Sequence, residues 1–131
     1  MNCPHCKTPV LRFPVSEEFA AYVPEDAPGA AICPTCLALH PDDEPPAELP
    51  DFATIGESFP TNPDAAVPMA LGIGLLTSLA LYRQQIAELF EAVEEAGTDP
   101  MLVLDRLAAS GSVDNQIDIQ GRKRQLEQLM G

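Results

Sequence analysis

The chain has no tryptophan, two tyrosines and five phenylalanines in 131 residues, so its core is aliphatic with few rings to organise it. Basic residues are also scarce. Of seven, only Lys7 and Lys123 are lysines, and 20 Asp and Glu bring the formal net charge to −13. A field of that sign repels the phosphate backbone of nucleic acid. It also works against compaction unless salt screens it. An acidic, lysine-poor surface is what a salt-adapted protein uses, and we read a halophilic cytosol; an ordinary acidic protein, or one with an acidic partner-binding face, is the alternative. No run is long enough to span a bilayer. The best, Val67 to Tyr82, holds Gly72, Gly74, Thr77 and Ser78 and falls short of the roughly 20 apolar residues required, so it reads as a buried helix. No apolar leader precedes the first motif, and a cytoplasmic location is expected. No Ser/His/Asp or Cys/His set has the pattern of a nucleophile with its base, and Gly72-Ile73-Gly74 lacks the strand–turn–helix setting of a nucleotide loop. We therefore expect no enzyme and no small-molecule substrate.

Cysteine is scarce too, but its placement is informative. All four cysteines lie in Cys3-Pro4-His5-Cys6 and Cys33-Pro34-Thr35-Cys36. Two such pairs can set four thiolates around one tetrahedral ion, usually zinc. One Zn²⁺ per chain is expected on Cys3, Cys6, Cys33 and Cys36. Four protein ligands leave no open position for a catalytic water. The two histidines, His5 and His40, are then bystanders, although His40 follows Cys36 closely enough to ligate in principle. The usual form of such a knuckle has glycine after its second cysteine. Here Lys7 and Leu37 stand there, which puts the usual left-handed turn in question.

Three other readings use the same cysteines. Iron in a rubredoxin-like site needs a similar separation, but rubredoxin cores include tryptophan. A thioredoxin-type redox pair follows a strand at a helix N-terminus, and Cys3 has only two residues ahead of it. Structural disulfides are rare in a reducing cytosol.

Along the chain we expect an α+β protein in three parts. Residues 1–40 read as a small zinc ribbon, with short β-strands and two knuckles. Val10–Phe13 ends at Pro14, Ser16 can cap a short turn with Phe19, Tyr22 and Val23 on one side, and Ala30-Ala31-Ile32 leads into the second knuckle. Residues 41–66 read as an acidic, proline-rich arm with seven acids and no base, in which regular structure is disfavoured. Leu49, Phe52, Ile55 and Phe59 are expected to pin it across a surface. Residues 67–131 read as a helical hairpin or three-helix unit. Leu75, Leu79, Tyr82, Ile86, Leu89 and Val93 form a heptad seam on a helix running to about Ala96, capped by Gly97. Asp99-Pro100 restarts a helix with Met101, Leu104, Leu107 and Ala108 on one face, up to Ser110-Gly111. A last helix runs from about Val113 to Met130, with Ile117, Leu126, Leu129 and Met130 apolar and Gly121 weakening its middle.

Two features have a plain and a sharper reading. Ala70, Gly74 and Ser78 recur every four residues and allow close packing, against the chain's own helices or, as the sharper reading, at a dimer seam. Arg122-Lys123-Arg124 is the only basic cluster. It can pair with carboxylates near a helix C-terminus, or touch RNA or DNA.

The paired Cys-x-x-Cys motifs, Thr54-Ile55-Gly56-Glu57-Ser58-Phe59-Pro60, the helical tail and the acidity together resemble an uncharacterised family of short haloarchaeal proteins with an N-terminal zinc-ribbon-like module. That resemblance implies metal binding and carries over no catalytic residue. The leading expectation is a non-catalytic zinc protein that engages a protein partner, or itself, through its helical region. The alternatives are a nucleic-acid accessory protein using the ribbon and residues 122–124, and an iron electron-transfer protein.

Overall fold

The structure, a computed structural model, describes residues 2–4, 6–76, 79–109 and 119–130. Its fold is α+β, with a small antiparallel sheet and four helices among the described residues. The strands are β1 (Leu11–Pro14), β2 (Gly29–Ile32) and β3 (Leu39–Asp42), in spatial order β1-β2-β3. Leu11 faces Ile32 and Pro14 faces Gly29; on the other side Ile32 faces Leu39 and Gly29 faces Asp42. Paired residues share a face. One face therefore carries Leu11, Phe13, Ala30, Ile32 and Leu39, which join the main core. The other carries Arg12, Ala31, His40 and Asp42.

On that second face an ion pair crosses the sheet. Arg12 on β1 donates from Nε to Oδ2 of Asp42 at 2.7 Å and from Nη2 to Oδ1 at 3.2 Å. The small residues Gly29 and Ala31 of β2 lie between the two side chains in register. Arg12 Nη2 also donates to the Glu44 carbonyl at 2.7 Å, and the Glu44 N–H donates to Asp42 Oδ1 at 3.1 Å. The chain leaving β3 is thus tied back over the sheet. Gly29 makes room for it: a Cβ there would meet Pro45 Cβ at 2.4 Å and the Phe13 carbonyl oxygen at 2.7 Å.

β3 continues through Pro41 and Asp42, the first residues of the arm as read from sequence. Further on, Phe52–Thr54 form one 3₁₀ turn, capped by Asp51, whose Oδ1 accepts from the Ala53 N–H. Phe52, Ile55 and Phe59 are buried as expected. Phe52 meets the edge of Phe13 at 5.5 Å between centroids and stacks on Phe59 at 5.8 Å. Leu49 does not join them: it is 40% exposed, so three side chains pin the arm rather than four. Between β1 and β2, Ser16 precedes a 3₁₀ turn over Glu17–Tyr22 through its backbone, without a side-chain cap bond. The Tyr22 hydroxyl donates to Glu88 Oε2, and that carboxylate pushes the phenol up to about 12.

The helices are α1 (Pro63–Leu75), α2 (Leu79–Glu95), α3 (Pro100–Ala109) and α4 (Ile119–Met130). Asn62 caps α1, its Oδ1 accepting from the Asp64 N–H, with proline at the first helical position. Every residue from Ala65 to Ile73 is buried. A helix apolar all round must be enclosed, and this requirement overturns the single long helix expected from the heptad seam. α1 ends at Leu75 and α2 begins at Leu79, with Tyr82 off the helical track at φ −119°, ψ 18°. α2 folds back along α1. Leu79, Ile86, Leu89 and Val93 are buried there, whereas Tyr82, counted in the same seam, is 39% exposed.

The small residues of α1 set two close approaches. A Cβ on Gly72 would lie 2.5 Å from the Phe90 ring of α2, and one on Gly74 would lie 2.4 Å from Leu39 Cβ on β3. Gly74 therefore packs inside the chain, against the sheet rather than a helix. Ser78 lies outside the described residues.

α2 stops as expected at Gly97, at φ 93°, with the Gly97 N–H on the Glu94 carbonyl and the Thr98 N–H on that of Val93. Asp99 Oδ1 then accepts from the Met101 N–H at 3.0 Å to start α3, whose Val103, Leu104 and Leu107 are buried. Ile119 and Leu126 of α4 are buried. Ser110-Gly111, Val113 and Ile117 lie outside the described residues, as do the side chains of Leu129 and Met130. No helix among the described residues is long and apolar enough to cross a membrane.

The Arg12 guanidinium holds the Asp42 carboxyl below its ordinary range. A carboxylate depressed in the folded state adds stability that is fully present above the unfolded value of about 3.9 and lost as pH falls through the folded value. Asp42→Asn should therefore lower Tm at pH 7, and the gap from the parent should close on titration below about pH 4; a gap independent of pH would assign it to something other than the ion pair.

Candidate metal centre

The local sequence builds two matching loops. In the first, the Cys3 N–H donates to the Thr8 carbonyl at 2.9 Å and the Lys7 N–H to the Cys3 carbonyl at 2.8 Å. In the second, the Cys33 N–H donates to the Ala38 carbonyl at 3.0 Å and the Leu37 N–H to the Cys33 carbonyl at 2.9 Å. The pattern is the same, shifted by one repeat of Cys-Pro-x-Cys. Both loops close through a left-handed residue, Lys7 at φ 56° and Leu37 at φ 63°. The turn that the missing glycines had put in question is present in both knuckles. Each non-glycine residue held there costs about 1–2 kcal/mol.

The loops converge at one end of the sheet. Cys33 follows Ile32 of β2, Cys36 precedes Leu39 of β3, and Cys6 precedes β1. The ligand atoms of Cys3, Cys6, Cys33 and Cys36 all lie within 4.8 Å of one another. Cys3 Sγ and Cys36 Sγ are 3.7 Å apart, too far for a disulfide, whose bond is about 2.05 Å. A tetrahedron with Zn–S bonds of about 2.3 Å has sulfur–sulfur edges of about 3.8 Å, which the Cys3–Cys36 pair matches and the whole set, within 4.8 Å, approaches. The Cys36 N–H points at Cys33 Sγ from 3.5 Å, the kind of amide contact expected inside a knuckle and one that would moderate thiolate charge.

Cys3, Cys33 and Cys36 are buried and Cys6 is half-buried. Burial pushes the Cys36 thiol well above its ordinary value, against a lowering backbone bond to Ala38. Without an ion Cys36 therefore favours its neutral thiol. A bound metal must displace thiol protons, so its affinity falls as pH falls.

The four predicted ligands are thus brought together. His40 is not among them: it lies on β3, half-buried, with its Nε2 lacking a hydrogen-bond partner among the described residues. His5 lies outside the described residues. The basic triplet makes no such site. Lys123 Nζ is 3.2 Å from Asp105 Oδ1 of α3 and 2.7 Å from Glu127 Oε1, and its side chain is 17% exposed. Arg124 also has an interaction partner, and the side chain of Arg122 lies outside the described residues. Sequence reasoning missed the Arg12–Asp42 pair, because Asp42 read as one acid among many in the arm. A clue was available in the position of Arg12, alone among the apolar residues of β1.

The fold and the cysteine cluster define a small α+β protein with a site able to hold one metal ion. The chain belongs to DUF6276, a family of unknown function, whose model matches residues 2–130. No curated protein and no solved structure is significantly similar to it.

The left-handed residues predict opposite outcomes for one type of substitution. Lys7 is exposed and Leu37 fully buried. Lys7→Gly should stabilise the metal-loaded protein by about 1 kcal/mol through relief of the backbone. Leu37→Gly should destabilise it, since losing a buried leucine costs about 2–5 kcal/mol and outweighs that relief. Thermal melts of both variants test this, and equal signs would refute it.

Proposed function

We propose that this is a non-catalytic zinc protein of a halophilic cytosol, with a structural four-cysteine centre of zinc-ribbon type, and that it works by presenting surfaces to a protein partner. The observation that carries the reading is the mutual approach of four sulfurs within 4.8 Å. Protein ligands in all four positions suit a structural ion rather than one that activates water. Bound there, zinc would hold together two loops that share little core of their own and would contribute folding free energy directly. The second knuckle has a further anchor, since Leu37 belongs to the main core. The first is closed on itself by the isolated bridge between Asn2 and Pro9, and among the described residues its cysteines meet the rest of the protein through the small cluster of Cys33, Cys36, Val10 and Ala38. Metal loss should therefore release residues 2–9 first.

The nucleic-acid alternative is weakened by the pairing of Lys123 with Asp105 and Glu127. Iron at the same cysteines would give a coloured, redox-active protein, whereas zinc would give neither property.

Metal content decides between them. Protein purified in high salt without added metal should carry one zinc per chain. Reloading the chelated protein near pH 7 should release close to four protons per zinc, one for each cysteine. Iron would move the function to electron transfer, and no metal with reactive thiols would move it to thiol chemistry.

The halophilic reading rests on the net charge of −13 and has its own test. Tm should rise as salt is raised from low ionic strength to molar concentrations, because screening relieves carboxylate repulsion. A Tm indifferent to salt would sink it.

A further inference from the structure

Leu49 sits where the pattern of the arm calls for a buried anchor, yet it is 40% exposed. It lines a cavity of about 400 Å³ whose apolar wall includes Val15, Phe19 and Val67. A second cavity of about 230 Å³ adjoins it, sharing Glu18, Phe19 and Asp64, and extends the trough to Ala92 and Glu95 of α2. The result is one groove between the 3₁₀ turn Glu17–Tyr22, the arm and the start of α1. Its wall beside Leu49 is mostly apolar, and the extension toward α2 is mixed. Glu18, Asp64 and Glu95, all exposed, form its charged rim, and no cation appears among the described residues that line it.

We propose that this groove docks a basic partner segment, one that presents a large apolar side chain between lysines or arginines. Charge decides the occupant. A second copy of this chain would bring another net charge of −13 to a rim that is already acidic. A cationic segment pairs with the rim carboxylates at contact range, where salt screens least, and covers Leu49 and Phe19 with its apolar residue. The inference rests on the protein-interaction reading above and names its partner class. It uses a surface at the Pro14 end of β1, away from the cysteines at the Leu11 end, so docking and metal binding can fail separately.

The test uses the metal-loaded full chain and a fluorescent helical peptide with leucines on one face and lysines on the other. Anisotropy is read at moderate salt, with a glutamate-for-lysine peptide as control. The lysine peptide should bind and the glutamate peptide should not. Leu49→Lys, and separately the pair Glu18→Gln with Asp64→Asn, should each weaken binding roughly tenfold or more. The pair Glu91→Gln with Glu94→Gln makes the same change in charge on exposed positions of α2 that do not line the groove, and it should leave binding intact. Zinc content measured on every variant separates loss of the groove from loss of the metal centre. Equal weakening by both neutralised pairs would reduce the effect to net charge and overturn the proposal. So would the absence of peptide binding to zinc-loaded protein. Sedimentation showing a dimer that Leu49→Lys dissociates would assign the groove to a second copy, and would overturn it as well.

Discussion

From Ala65 to Ile73 every residue of α1 is buried, so the helix needs a neighbour on each side, and the rest of the molecule is arranged to supply them. The sheet comes in through Leu39, which rests where a side chain on Gly74 would be, and α2 comes in through Phe90, which does the same at Gly72. Neither approach is possible with a larger residue on α1 unless its neighbours shift. Phe52, Ile55 and Phe59 of the arm, together with Val103, Leu104 and Leu107 of α3, belong to the same buried cluster. The helix that looked like the strongest bilayer candidate in the sequence is thus the hub of a protein core, and its burial explains why a proline-rich segment with a strong negative charge is held close rather than left as a tether.

The cysteine cluster is a second, smaller centre joined to the first through Leu37. Cys3, Cys33 and Cys36 form their own buried group, with Cys6, Val10 and Ala38 packed against it. Leu37 lies next to Cys36 in sequence but belongs to the main core. Its left-handed backbone and its burial are linked: the turn that brings Cys36 toward the other sulfurs also sends the leucine inward. Lys7 makes the same turn with an exposed side chain. The knuckles are therefore alike in backbone and unlike in attachment.

Among the described residues, carboxylates of the chain itself hold two of the scarce basic residues, Arg12 across the sheet and Lys123 between α3 and α4. Much of the acid is left on the surface, where salt can screen it. Around the groove beside Leu49, three of those exposed acids, Glu18, Asp64 and Glu95, form the rim.

The sequence alone determined the elements whose cause is local. Cys-Pro-x-Cys, present twice, marked the four cysteines that the fold brings together, Asp99-Pro100 carried the chemistry of a helix start, and Gly97 marked a helix end, because each depends on a few consecutive residues. Asn62-Pro63 is an equally local start signal, but it falls within the arm as read from sequence, and α1 begins there, ahead of the expected boundary at residue 67. The α+β class and three of the four arm anchors were also legible, since apolar spacing reports which side chains seek burial. Tertiary structure decided what depends on partners distant in sequence. A heptad seam cannot tell a long helix from a hairpin, because both bury Leu79, Ile86, Leu89 and Val93; only the need to enclose α1 breaks the helix after Leu75. Asp42 could not be told from the other acids of the arm until the register of β1, β2 and β3 placed Arg12 within reach. Lys7 and Leu37 adopt a backbone that their own residue types disfavour, because closing each knuckle around its cysteines outweighs the local preference.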